Sequence, residues 1–250
     1  MSKYIVITGS SGGIGCALVD IFLSDNYFVI GIDRKSSGRN SNSFLEIEAD
    51  LYELSKNETF RREILNKIKN ILPENLEDFI LINNAAVQIL NPIPDLDWKD
   101  WDKTLTVNTV APFFLVKGFL NQLRRTHGHV INISSIHSNQ TKANFSCYAA
   151  SKAALESLTR SLALELSKKG ISINAIAPAA IATKMLKDGF VEEPEKLQEL
   201  KSYHPAGKIG TPEQLATFVK SITEQRGGFL TGAVIEFSGG IASKLHDPEK

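Results

Sequence analysis

Tyr4-Ile5-Val6-Ile7-Thr8-Gly9-Ser10-Ser11-Gly12-Gly13-Ile14-Gly15 is the stretch whose reading decides the fold. A β-branched apolar run enters a glycine turn, and the pattern through Ser24 then has helical periodicity. A strand that passes through glycines into a helix is the front of a βαβ unit. Its first helical turn presents unpaired backbone N–H groups where no side chain blocks approach. That geometry suits a pyrophosphate, with Gly9, Ser11, Gly13, Ile14 and Gly15 in reach. A glycine cluster alone would read as a flexible turn; its place between strand and helix favours the anion site.

The alternation continues outward from this unit. Strand-like runs fall at Tyr4–Thr8, Phe28–Ile32, Phe44–Ile47, Phe79–Ile82, Val130–Ser134, Ser172–Ile176 and Val234–Phe237. Helical patterns fall at Gly13–Ser24, Lys56–Leu72, Lys99–Arg125, Cys147–Lys169 and Pro212–Thr223. Near-continuous apolar strands joined by helices predict an α/β fold, a doubly wound parallel sheet of about seven strands with helices on both faces. No repeat or linker divides the chain, so one domain over residues 1–250 is expected. The charged stretch Thr183–Gly210, with Pro194 and Pro205, reads as a lid or binding segment.

Composition narrows the function. Lys and Arg total 28, as do Asp and Glu. This balance argues against nucleic acid or an anionic membrane as the main partner. The first apolar run is too short for a signal peptide, and no stretch approaches membrane-spanning length. Cys16 and Cys147 do not suggest a disulfide framework, so a cytoplasmic setting is expected. No His, Cys or Asp cluster has metal-ligand spacing, and no metal is expected.

Asp33 follows the second strand at the distance a ribose-binding carboxylate requires. A carboxylate there accepts from ribose hydroxyls and repels a 2′-phosphate, which favours NAD over NADP. Arg34 beside it could instead pair with such a phosphate. A solvated loop position is the preferred reading of Arg34.

Further along, Tyr148-Ala149-Ala150-Ser151-Lys152 places a phenol and an ammonium on one helix face. A free tyrosine has a pKa of about 10, and a fixed cation nearby lowers it towards a usable general acid or base. Such a pair is commonplace by itself. It gains weight from Ser135 upstream and from the nucleotide turn.

Together these motifs resemble the short-chain dehydrogenase/reductase family, in its single-domain form with a Rossmann-type sheet. Thr8–Gly15 resembles the family's TGxxxGxG turn. Asp50-Leu51 is similar to its adenine-holding pair, and Asn83-Asn84-Ala85-Ala86 to its NNAG segment. Asn108, Ser135, Tyr148 and Lys152 match its catalytic tetrad in order and spacing. Pro178 to Thr183, including Ile181, is similar to the PGxxxT segment that brackets the nicotinamide. Ala86 and Ala179 stand where the family has glycine, Lys208 where many members have arginine, and Ser238 where many have aspartate.

The resemblance implies hydride transfer between NAD(H) and a secondary alcohol or ketone, with Tyr148 moving the substrate proton. Lys152 would lower the Tyr148 pKa and hold the nicotinamide ribose. Ser135 would polarise the substrate oxygen, and Asn108 would anchor a proton-relaying water. Asn84, Ala85 and Ala86 join the implied cofactor contacts. His137, Phe145 and Met185 are the implied substrate wall. A homotetramer or homodimer is implied through the long helices over Val107–Leu123 and Ala153–Leu166. Two alternatives remain open: an NADPH-dependent 3-oxoacyl-thioester reductase, and a catalytically silent dinucleotide-binding regulatory protein.

Overall fold

Successive residues of a strand face opposite sides of a sheet, so an all-apolar strand needs cover on both. The computed structural model, which describes residues 2–183, 186, 190 and 194–244, provides that cover. Among these residues the strands are β1 (Lys3–Thr8), β2 (Phe28–Asp33), β3 (Phe44–Glu48), β4 (Asp78–Asn83), β5 (His129–Ile133), β6 (Ser172–Pro178) and β7 (Val234–Phe237). They form one sheet in the order β3-β2-β1-β4-β5-β6-β7, and every pairing is parallel.

Tyr4 and Val6 of β1 join one core with Ile30, Leu81, Leu115 and Leu162. Ile5 and Ile7 join the other with Leu18, Phe22, Leu215 and Val219. Each fully buried aliphatic side chain contributes about 1.5–3 kcal/mol. The second core is closed by α1 (Gly13–Ser24) and α9 (Pro212–Thr223). The first is closed mainly by α3 (Glu58–Lys69), α5 (Ala111–Gly118) and α7 (Ser146–Leu166). Because β2 and β4 flank β1 on opposite sides, the chain reverses its winding there. The carboxyl ends of β1 and β4 therefore open a crevice, where parallel sheets of this kind bind ligands.

Two helical expectations need correction, and a further segment holds a helix of its own. The pattern at Lys56–Leu72 breaks at Asn57, whose extended backbone ends α2 (Leu51–Lys56) and whose side chain caps α3 through Phe60 N at 3.1 Å. Asparagine is among the best helix caps, and here that preference overrides the apolar periodicity. The stretch Lys99–Arg125 divides into α4 (Trp98–Leu105), a π-helical turn over Thr106–Val110, α5, and α6 (Leu120–Thr126). Pro112 has no N–H to give the Asn108 carbonyl four residues back, and the helix widens around that gap. Finally, Thr183–Gly210 contains a regular helix, α8 (Pro194–Tyr203). Pro194 opens it, the position where a missing N–H costs nothing.

At the opposite end of the sheet from the crevice, Tyr27 Oη and the Arg226 guanidinium both bond Asp78, at 2.5 and 2.6 Å. His129 is buried beside them. Burial first, and then Arg226, push its pKa from 6.5 to about 4, against the pull of Asp78. Folding thus favours the neutral imidazole. Below pH 6.5 the unfolded chain binds a proton that the folded chain refuses, so this stability falls towards pH 4 and levels off beneath it. Urea midpoints measured from pH 7.5 to 4 should fall less steeply for His129→Gln than for the wild type. Parallel slopes would contradict this account.

Candidate active site

The glycine turn is built by close backbone approach. Gly9 takes φ +66°, and a Cβ on it would lie 2.9 Å from Ala85 Cα. A Cβ on Gly15 would lie 1.9 Å from the Gly9 carbonyl oxygen, so only glycine lets α1 start this near the turn. Thr8 Oγ1 accepts from Asn84 N and Ala85 N at 3.0 and 3.1 Å. Asn84 Nδ2 donates to the carbonyls of Thr8 and Gly9 at 3.0 and 3.1 Å. The ends of β1 and β4 are thereby held as one surface.

No side chain caps the first turn of α1, and no acidic residue stands in it. Its N–H groups remain available to an anion, which fits a dinucleotide pyrophosphate. Asp33 sits at the end of β2 and accepts from Ser11 N at 3.0 Å and Arg34 N at 2.7 Å. The Arg34 side chain is exposed, as a solvated loop residue would be. Asp50 Oδ1 caps α2 through Tyr52 N at 2.8 Å, with Leu51 buried next to it.

Across the crevice, β6 ends at Pro178, and Ile181 pairs with Gly210. Thr183 reaches back over the turn: a Cβ on Gly13 would meet its Cγ2 at 3.0 Å. The glycine turn and Thr183 therefore face each other. Ala86 and Ala179 take ordinary backbone angles, so neither glycine replacement strains the chain. Met185 lies outside the described residues. A cavity of about 530 Å³, lined in part by Ala179, His204, Ile209 and Phe237, adjoins this segment and does not include Tyr148.

Ser135, Tyr148 and Lys152 converge from two elements, the end of β5 and α7. Ser135 follows β5 in extended conformation and accepts from His137 N at 3.2 Å. Tyr148 and Lys152 lie on α7, with Lys152 only 2% exposed. Lys152 Nζ donates to the Ile133 carbonyl at 2.8 Å and lies 5.7 Å from the centre of the Tyr148 ring. Burial lowers the Lys152 pKa to about 8, although Glu156 pulls the other way. Burial also raises Tyr148, and a hydrogen bond with Ser135 opposes that rise. The expected lowering of the Tyr148 pKa is thus outweighed by burial in this arrangement.

Asn108 is 1% exposed, inside the π-helical turn. Its Oδ1 accepts from Val87 N at 2.8 Å, while Nδ2 donates to Val87 O and Ser151 Oγ, both at 2.9 Å. The side chain is occupied in tying the loop after β4 to α7. Its backbone carbonyl is the group that Pro112, lacking an N–H, leaves without an α-helical donor. His137 stacks on Phe145 at 4.2 Å, and both rings stand edge-on to Tyr148 at 6.1 and 6.2 Å. Burial holds the His137 pKa near 4, with Lys142 adding to the effect, so the ring is neutral at pH 7.

Several supporting residues escaped the sequence reading. Asn83 Nδ2 donates to Asn132 Oδ1, and Asn132 Nδ2 to Thr159 Oγ1, each at 2.8 Å. This buried ladder fixes the register of α7 against β4 and β5. The signal was an asparagine within each of two apolar strands. Ser134, at the end of the fifth strand-like run, donates to Glu156 Oε1 at 2.8 Å. Glu156 is the next step of the stripe that begins at Tyr148 and Lys152.

The model of the short chain dehydrogenase family matches residues 3–194. The chain belongs to that family. It is 30% identical over 256 residues to glucose 1-dehydrogenase 2 of Bacillus subtilis, covering 96% of this chain and 94% of that protein. The solved structure of 4-hydroxyisoleucine dehydrogenase with NADH superposes with a TM-score of 0.86 at 26% identity, covering 97% of this chain and 100% of that one. ElxO with NADP bound gives 0.84 at 25% identity, covering 98% and 100%. As a short-chain dehydrogenase the chain is an NAD(P)-dependent oxidoreductase acting on CH–OH groups.

Asn108→Ala leaves the Val87 N–H and carbonyl without their partner and removes the link to Ser151. Unsatisfied buried groups of this kind cost about 1–3 kcal/mol each. Urea unfolding should show a loss of at least about 2 kcal/mol; wild-type stability would contradict the tie described here.

Proposed function

We propose that this short-chain dehydrogenase interconverts a secondary alcohol and its ketone with NAD(H), using Tyr148 as the proton-transfer group. The convergence of Ser135, Tyr148 and Lys152 beside the glycine turn carries this reading. A bound nicotinamide dinucleotide supplies the hydride acceptor or donor. The pyrophosphate would rest on Gly13, Ile14 and Gly15, the adenosine ribose on Asp33, and the nicotinamide between Tyr148 and the segment of Pro178, Ile181 and Thr183. Asp50, Leu51, Asn84, Ala85 and Ala86 complete the floor.

Tyr148 Oη takes the hydroxyl proton in oxidation and returns it in reduction. Ser135 Oγ orients and polarises the same substrate oxygen. Lys152 keeps one donor on Ile133, so its remaining donors can meet ribose hydroxyls while its charge favours the phenolate. The Asn108 backbone carbonyl is the acceptor on offer to a water that connects Lys152 with solvent. His137 and Phe145 form an aromatic wall that is uncharged at neutral pH, which suits an uncharged substrate portion.

Outward-facing Val110, Phe113 and Leu164, the last 82% exposed, lie on the helices expected to join subunits. A homo-oligomer buried at these faces belongs to the same proposal. A reducing cytoplasm is its natural setting, since Cys16 and Cys147 are both free thiols.

Tyr148→Phe should reduce turnover at least about a thousandfold in a screened alcohol library, with NADH binding changed less than about threefold. Retained turnover would overturn the assignment. Since oxidation needs the phenolate, whose pKa burial has raised, alcohol oxidation should quicken as pH rises from 7 to 10. Ketone reduction should slow over the same range; a flat profile in both directions would contradict the role of Tyr148. Sedimentation at micromolar concentration should show an oligomer, and a monomer would refute the subunit contact.

A further inference from the structure

Glu46 belongs to no expected motif, yet it has four hydrogen-bond donors around it. It lies on β3 opposite Gly31, below the glycine turn. Its Oε1 accepts from Ser11 Oγ at 2.9 Å. Its Oε2 accepts from Ser36 Oγ and Ser37 N, both at 2.7 Å, and from Ser37 Oγ at 3.1 Å. Burial alone would raise its pKa; the Ser36, Ser37 and Ser11 donors reverse this and hold the carboxyl below its ordinary value. It is charged at neutral pH.

Ser11 connects this carboxylate to the cofactor site, because its backbone N–H bonds Asp33 Oδ2 at 3.0 Å while its hydroxyl bonds Glu46. Hydroxyls and backbone N–H groups gathered in a turn are the donors that hold phosphate oxygens. Here they surround a carboxylate of the chain itself. Of the nearby cations, Arg39 is paired with Asp20 at 2.5 Å, which leaves the exposed Arg34 and Lys35 on the loop after Asp33.

We propose that Glu46 is a built-in anion that occupies the donor cluster a 2′-phosphate would need, and so sets selectivity for NAD over NADP jointly with Asp33. This rests on the placement of the adenosine ribose on Asp33 argued above. A ribose 2′-hydroxyl needs only an acceptor, and Asp33 provides one. A 2′-phosphate meets two negative charges and finds Ser11, Ser36 and Ser37 already bonded. Glu46 acts on the coenzyme through these residues and is a specificity determinant, with no part in proton transfer.

Fluorescence titration of the full chain with NADH and NADPH tests this. The wild type should bind NADH more tightly. Glu46→Gln, which keeps the shape, and Glu46→Ala, which also removes the acceptor, should each bind NADPH at least about tenfold more tightly than wild type and NADH within about threefold. If Glu46→Ala does not fold, Glu46→Gln carries the comparison. An unchanged NADPH affinity in a variant that still binds NADH overturns the role of Glu46 and leaves the Asp33 reading intact. A wild-type preference for NADPH overturns the Asp33 reading itself. Ser36→Ala combined with Ser37→Ala keeps the charge of Glu46 and should gain no NADPH affinity; a gain there also overturns the proposal.

Discussion

The close approach of Gly9 to Asn84 and Ala85 is the contact on which the rest of the site depends. Turn and strand end meet so tightly that a Cβ on Gly9 would sit 2.9 Å from both Ala85 Cα and Asn84 Nδ2. Four hydrogen bonds then cross the gap from Asn84 and Ala85 to Thr8 and Gly9, fixing the carboxyl ends of β1 and β4 together. This junction lies where the winding of the sheet reverses, so the crevice and its floor have one origin. The left-handed conformation costs a non-glycine residue about 1–2 kcal/mol before any collision is counted.

The second requirement is a helix placed to within a hydrogen bond. α7 presents Tyr148, Lys152 and Glu156 along one buried stripe, and buried polar groups demand partners. Asn108 holds its first turns through Ser151, and Thr159 holds its middle through Asn132. Ser134 and Ile133 meet Glu156 and Lys152 from the end of β5. Such a network rigidifies the site because each broken bond would strand a group away from water. Burial also depresses Lys152 and raises Tyr148, so the same enclosure disfavours the charged form of both groups.

Much of this was legible in the sequence, for a physical reason. Strand and helix periods are local, so all the strands and the ends of α1 and α9 follow from neighbouring residues. The turn, Asp33 and the Tyr148–Lys152 pair are likewise carried by spacing, whereas Asn108 is picked out only by resemblance to the family. What escaped depends on competition or on distance. Asn57 could continue a helix or cap the next one, and only the packed chain decides. Pro112 is visible in the sequence, yet its effect falls on the Asn108 carbonyl a full turn earlier. Glu46 meets Ser11 across 35 positions, and Ser134 meets Glu156 across 22. No periodicity reports such encounters. The same limit applies to the substrate wall, where His137 joins Phe145 only after the loop has folded.

The central claim is that the Gly9 turn, pressed against Asn84 and Ala85, is the cradle of the coenzyme. The most direct measurement is the NADH dissociation constant of Gly9→Ala beside that of the wild type, with circular dichroism to confirm the fold. The account predicts an intact α/β spectrum and NADH binding weakened at least about tenfold. Wild-type NADH affinity in the folded variant would contradict it.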